Sequence, residues 1–245
     1  MRKYFVAYIM GGPQFINELK LLDEEGADFV EIGIPFSDPV ADGPTIKAAG
    51  EKAIEAGMTV EKILEQLTTH QDEIKTKTIL MTYAHMIEAY GEEAFMQAVD
   101  EAGVYGLIIP DMPFEYAEQL KARYPQRRVK IISLIAMTAK EERLKQIAQH
   151  AEGFIYTVTM NETTGQNGQF HPELKTKIQH IQNETEIPVM AGFGIRTPEH
   201  VREISTVADG VIIGSEIVRR LEEQGIEGTR PFLKQVRQVL DETLS

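Results

Sequence analysis

Two carboxylates stand eleven residues apart in the run Glu31-Ile-Gly-Ile-Pro-Phe-Ser-Asp-Pro-Val-Ala-Asp42-Gly-Pro44. A carboxyl group taken out of water can hold a pKa suited to proton transfer. The stretch Asp28–Ile34 has the composition of a strand, and its two-residue period puts Val30, Ile32 and Ile34 toward covering helices. Phe29, Glu31 and Gly33 then face the interior, where desolvation pushes a carboxyl pKa upward. Gly33 beside Glu31 is expected to leave room for a ligand. Pro35, Pro39 and Pro44 restrict the loop that carries Asp38 and Asp42, lowering the entropy cost of fixing the acids. A strand-end glutamate on its own is more often structural or solvated, and Asp38-Pro39 and Asp42-Gly43 are ordinary turn pairs. Asp38 is assigned to that structural role; Glu31 and Asp42 are assigned to chemistry.

Three small-residue stretches lie late in the chain: Thr163-Thr-Gly-Gln-Asn-Gly168, Gly192-Phe-Gly-Ile195 and Gly214-Ser215. Each follows a predicted strand. Glycine lets the backbone approach an anion, and Gly214-Ser215 precedes the helical stretch Glu216–Glu223, an extra short helix whose N-terminus suits a phosphate. Singly, each is also ordinary turn chemistry. The polar stretch Thr159–His171 reads as a lid or as a long loop.

The elements that must position these groups alternate along the chain. Predicted strands are Tyr4–Met10, Asp28–Ile34, Lys77–Thr82, Tyr105–Pro110, Val129–Leu134, Gly153–Val158, Pro188–Ala191 and Gly210–Ile213. Amphipathic helices are predicted over Phe15–Glu25, Thr45–Ala56, Glu92–Ala102, Tyr116–Arg123, Glu141–Gln149, Pro172–Gln182, Glu199–Ser205 and Pro231–Leu244. Thr138 with Glu141 makes a capping-box pattern, and Thr197-Pro198 sets an N-cap before a first-turn proline. Eight such alternations predict one (β/α)8 TIM barrel over residues 1–245, with the extra short helix before the last helix. An open, doubly wound sheet is the alternative. In a barrel, the loop bearing Asp42 opens on the C-terminal face, where active sites are built.

Composition removes other classes. The chain carries a formal charge of −13, which disfavours nucleic acid and anionic membrane as partners. It has no cysteine, so thiolate chemistry and disulfides are excluded, and its six histidines show no metal-ligand spacing; no metal is expected. No window is long and apolar enough for a membrane span, and Phe5–Met10 is too short for a signal peptide core. A cytoplasmic location is expected.

The run Glu31 to Pro44 resembles the signature segment of the tryptophan synthase alpha subunit family. The likeness extends through Met81-Thr-Tyr-Ala84, Ile109-Pro-Asp-Met-Pro113, Gly153-Phe-Ile-Tyr156, Thr164-Gly165, Gly192-Phe-Gly194 and Gly214-Ser215, nearly the whole chain. It implies cleavage of indole-3-glycerol phosphate to indole and glyceraldehyde 3-phosphate, with Glu31 as general acid/base and Asp42 hydrogen-bonded to the indole N–H. By the same resemblance Tyr8, Met81, Ile108 and Phe193 surround the indole, Tyr156 lies near Glu31 in the substrate site, and Thr164 packs against Asp42 when the lid closes. Gly165, Gly194, Gly214 and Ser215 would bind the phosphate. The family implies no cofactor in this chain and a beta subunit partner that carries pyridoxal phosphate in an alpha2beta2 heterotetramer. The other functional readings are a subunit that chiefly activates the beta partner, or another phosphate-binding barrel enzyme. Gly12, His85 and Glu162 depart from the family pattern around the rim and lid. Family members also carry a helix before the first strand, so the barrel bottom here is expected to be less covered, or covered by another element.

Overall fold

A computed structural model describes residues 2–158, 172–192 and 194–243. Tyr4–Met10 (β1), Phe29–Gly33 (β2), Lys77–Met81 (β3) and Gly106–Ile108 (β4) pair in parallel in that order. Lys130–Ile131 (β5) joins β4, whereas Ser133–Ala136 (β6), the next stretch of chain, joins Ile155–Val158 (β7). Val189–Gly192 (β8) and Gly210–Ile213 (β9) lead back to β1. The sheet order β5-β4-β3-β2-β1-β9-β8-β7-β6 therefore starts and ends on one segment interrupted at Ile132. That segment is the fifth strand of the eight predicted, divided because it changes partner along its length. Its lower half bonds β4, with the Ile132 N–H donating to the Leu107 carbonyl at 2.9 Å, and its upper half bonds β7. An open sheet has two different edge strands; here both edges are the same stretch of chain, so the architecture is a TIM barrel.

Around the sheet lie Phe15–Glu24 (α1), Pro44–Glu55 (α2), Val60–His70 (α3), Ala84–Tyr90 (α4), Glu92–Glu101 (α5) and Phe114–Arg123 (α6). Glu141–Gln149 (α7), Pro172–Asn183 (α8), Pro198–Ser205 (α9) and Ser215–Glu242 (α10) complete them. Two of these, α3 and α4, are absent from the sequence reading. Helix α3 buries Val60, Ile63, Leu64 and Leu67, the spacing of one helical face, and Thr59 caps it by accepting the Lys62 N–H. Helix α2 buries only Gly50 and Ala53 and lies against β1 and α10, whereas α3 packs against α1 and α5.

Thr197 caps α9 as expected, accepting the His200 N–H, with Pro198 in the first turn. Thr138 does not cap α7. Lys140 occupies the N-cap, because the chain first turns where the Ala139 N–H donates to the Ala136 carbonyl. Helix α10 is broken at Gly225, whose φ of 69° only glycine adopts freely. Its first part is the expected short helix. The second part begins before Pro231 rather than at it, and that proline lies inside the helix.

Phe29 points into the barrel as the two-residue period requires: its ring lies 5.9 Å from Tyr4, 5.5 Å from Tyr105 and 5.1 Å from Phe154, contributed from three other strand starts. These rings fill the lower barrel. Below them, carboxylates tie the strand starts together. Asp28 accepts the Phe5 N–H, Asp23 the Thr76 N–H, Asp100 the Val129 N–H, Glu152 the Ile131 N–H and Asp209 the Val189 N–H, at 2.8 to 3.0 Å. Arg237, from α10, pairs with Asp28 at 3.1 Å and donates to the Lys3 carbonyl at 2.9 Å, so the last helix covers part of this face. Asp28→Ala removes a charge-assisted hydrogen bond to a strand start and should cost about 2 kcal/mol, a fall of roughly 4 to 8 °C in melting temperature. Scanning calorimetry checks this; a change under about 1 °C contradicts it.

Candidate active site

Strand β2 carries Glu31 opposite Tyr8 of β1 and Ile79 of β3, all at inward positions of the ring. Glu31 is 4% exposed, and its Oε2 has no hydrogen-bond partner among the described residues. Removal from water raises its pKa to about 8, with the nearby Asp42 charge adding to the effect. Asp42 stands in the loop leading to α2 and is partly buried; desolvation raises it less, to about 6. At neutral pH the pair therefore holds one protonated carboxyl deep in the barrel and one carboxylate at its mouth.

Three tyrosines enclose the pair. Tyr156 of β7 is pushed well above the ordinary phenol range by burial, then by the charges of Glu31 and Asp42. A Cβ at Gly192 would stand 3.0 Å from the Tyr156 ring, so that glycine makes space for the tyrosine. Tyr8 is likewise raised by burial, then by Asp42 and Glu31. A side chain at Gly33 would collide with the Tyr8 hydroxyl. The space expected beside Glu31 for a ligand is thus filled by Tyr8, because the register of β1 against β2 leans that ring over Gly33.

Tyr83, just beyond β3, has no role in the sequence reading. Its hydroxyl accepts the Ala41 N–H at 3.2 Å, and its ring lies 5.1 Å from Phe36. It thereby ties down the loop at the residue before Asp42. Burial is the main reason its pKa rises to about 12. An aromatic residue right after a predicted strand was the available signal, but its partner is 42 residues away.

Met81 pairs with Ile108 and with Gly33 in register, so both apolar side chains lie level with Gly33, two residues beyond Glu31 along the strands, buried at 6% and 1% exposure. Gly214 follows β9 at the start of the short helix, with its Cβ position 3.5 Å from the Tyr8 Cβ. Its carbonyl accepts the Ile217 and Val218 N–H groups, and Ser215 beside it is exposed. The first N–H groups of a helix point away from its body unpaired, and this helix end opens onto the same mouth as the carboxylates. Glu216 does not block it, since its buried carboxylate pairs with Arg219 and Arg220. Gly194 lies in the exposed loop after β8 with φ 58°. Thr164, Gly165, Phe193 and Glu162 fall outside the described residues. Among the described residues, no cluster of three metal-ligating side chains occurs and no helix is long and apolar enough to cross a membrane.

A buried, raised acid has a stability signature. Between about pH 4.5, its ordinary value, and about 8, the folded chain holds a proton at Glu31 that the unfolded chain has released. Stability contributed by this group is therefore full below that window and falls as pH rises through it. Glu31→Gln should raise the melting temperature of the unliganded chain by roughly 2 °C or more at pH 8 and change it little at pH 4.5. Equal effects at both pH values would contradict the burial assignment.

Comparison with known proteins identifies the lineage. A family model for the tryptophan synthase alpha chain matches residues 1–243. The tryptophan synthase alpha chain of Staphylococcus carnosus is 60% identical over 244 residues, 99% of this chain and 98% of the relative. Among solved structures, the alpha subunit from Legionella pneumophila superposes with a TM-score of 0.87 at 31% identity, covering 98% of this chain and 93% of that one. A chain of Mycobacterium tuberculosis tryptophan synthase gives 0.88 at 30% identity, with 98% and 93% covered. With a barrel of this topology and a buried acid pair at its mouth, the chain belongs to the tryptophan synthase alpha chain family.

Proposed function

We propose that this chain, acting over residues 1–245 as one barrel domain, cleaves indole-3-glycerol phosphate to indole and glyceraldehyde 3-phosphate in tryptophan biosynthesis. The observation that carries the reading is the desolvated Glu31 carboxyl, its Oε2 unpartnered among the described residues, beside a second acid that stays ionised. Protonated Glu31 gives its proton to indole C3. The resulting carboxylate then takes the proton of the adjacent glycerol hydroxyl. As that oxygen forms a carbonyl, the bond to indole C3 breaks and its electron pair restores the aromatic ring. One proton is gained at carbon and one lost from oxygen, so no redox partner is needed.

Asp42 accepts the indole N–H and stabilises the positive charge on the protonated ring. Met81, Ile108, Tyr156, Phe193 and the Tyr8 ring hold the indole face. Backbone N–H groups at Gly165, Gly194 and Gly214, with the Ser215 hydroxyl, bind the phosphate, and Thr164 closes over Asp42. Indole passes to a beta subunit, in an alpha2beta2 assembly whose beta chains carry pyridoxal phosphate. The cytoplasm is the site of action.

Indole release by the purified chain, alone and with a beta subunit, tests the reading; slow release alone and faster release with the partner are expected. No indole in either condition, with glycerol 3-phosphate still bound, would leave an activating subunit or another barrel enzyme. Activity needs Asp42 ionised and Glu31 protonated, so kcat/KM should fall below about pH 6 and above about pH 8. Glu31→Gln should lower kcat by about 10²- to 10⁴-fold; full-rate turnover would refute the proton-transfer role. Gly214→Asp sets a charge and bulk at the helix start and should weaken glycerol 3-phosphate binding by at least about tenfold. Unchanged affinity in a calorimetric titration would remove Gly214 from the phosphate site.

A further inference from the structure

Tyr8 is 4% exposed, and its hydroxyl has no hydrogen-bond partner among the described residues. It stands opposite Glu31 in register, and Glu31 Oε2 is also unpartnered. Two buried polar atoms on neighbouring strands are thus left open at one site. The chain also keeps position 33 as glycine, where any side chain would displace the Tyr8 hydroxyl. A buried hydroxyl without a partner destabilises the unliganded fold, and phenylalanine would fill the same space without that cost. A ligand group that meets this hydroxyl would offset the cost.

We propose that the Tyr8 hydroxyl is a substrate-contacting group, donating a hydrogen bond to the glycerol oxygen from which Glu31 takes the proton. The inference rests on the lyase reading and deepens it. That oxygen changes from hydroxyl to carbonyl as the carbon–carbon bond breaks. In the reverse direction it is the carbonyl that must be polarised for attack by indole C3, so one donor serves the same transition state both ways. The proton removed goes from the substrate oxygen to Glu31; Tyr8 keeps its own. Burial and the two neighbouring acids hold the phenol proton firmly, as a donor that does not ionise requires. The contact also gives the site a means to distinguish ligands that carry this hydroxyl from those that lack it.

Tyr8→Phe tests the proposal with four readouts. The melting temperature of the unliganded variant should rise by roughly 2 °C or more, because an unpaired buried hydroxyl is gone. Affinity for glycerol 3-phosphate, measured by calorimetry, should fall about tenfold, the effect of one lost hydrogen bond. Affinity for 3-(indol-3-yl)propyl phosphate, which keeps ring and phosphate but lacks both hydroxyls, should stay within about twofold. The value of kcat/KM for indole-3-glycerol phosphate should fall at least about tenfold. A lower melting temperature overturns the proposal, since the hydroxyl would then be partnered in the unliganded chain. Equal weakening of both ligands overturns it by making Tyr8 a packing residue, and so does unchanged glycerol 3-phosphate binding. If the parent chain makes indole and the variant matches it, only this inference fails; if the parent makes none, the lyase reading itself fails.

Discussion

A carboxyl group buried in a barrel, with one oxygen that no described residue partners, is the constraint on which the rest of this structure depends. Glu31 would be cheap to keep at the rim, where water could solvate it. It stands instead one layer down, between Tyr8 and Ile79, with one oxygen unpartnered among the described residues. Such a group avoids the cost of a buried charge by keeping its proton, and a retained proton is what a general acid needs. The surroundings protect that state. Tyr8 fills the space over Gly33, Tyr156 fills the space at Gly192, and Tyr83 holds the Asp42 loop by its backbone at Ala41.

The two faces of the barrel treat the same residue types in opposite ways. At the N-terminal face, Asp23, Asp28, Asp100, Glu152 and Asp209 accept N–H groups from the starts of strands. Those carboxylates are ordinary acids put to structural use. At the C-terminal face Glu31 and Asp42 lose water without comparable partners among the described residues, and both rise. Stability is thereby concentrated below and reactivity above, the division usual for this fold. The strained groups can be tolerated because the lower barrel is closed by packed rings and by Arg237 from the last helix.

Local pattern exposed much of this arrangement. The alternation Phe29, Glu31, Gly33 placed the acid inside, and Phe29 confirms the phase through its ring contacts. Glycine before a helix marked Gly214, which the fold sets against Tyr8. Helix α3 was legible too, since Val60, Ile63, Leu64 and Leu67 share one helical face, but it follows a helix already assigned to the same unit. Other features depend on contacts far apart in sequence. The break at Ile132 arises because one strand must serve two neighbours, which no local period encodes. The lean of Tyr8 over Gly33 follows from register, and the bond from Ala41 to Tyr83 from the closing of a 42-residue interval. The division of roles between Glu31 and Asp42 came from the family resemblance; burial depth supplies a physical reason for it.

The most direct measurement is the protonation of Glu31 itself. Carbon-13 NMR of chain labelled at the glutamate side-chain carboxyl, with the Glu31 signal assigned by its loss in Glu31→Gln, would follow this group through a pH titration without substrate. A midpoint near 8, well above the ordinary 4.5, is expected for a buried carboxyl that keeps its proton at neutral pH. A midpoint near 4.5 would mean that water or an ionic partner reaches Glu31, and the buried-acid basis of the site would be wrong.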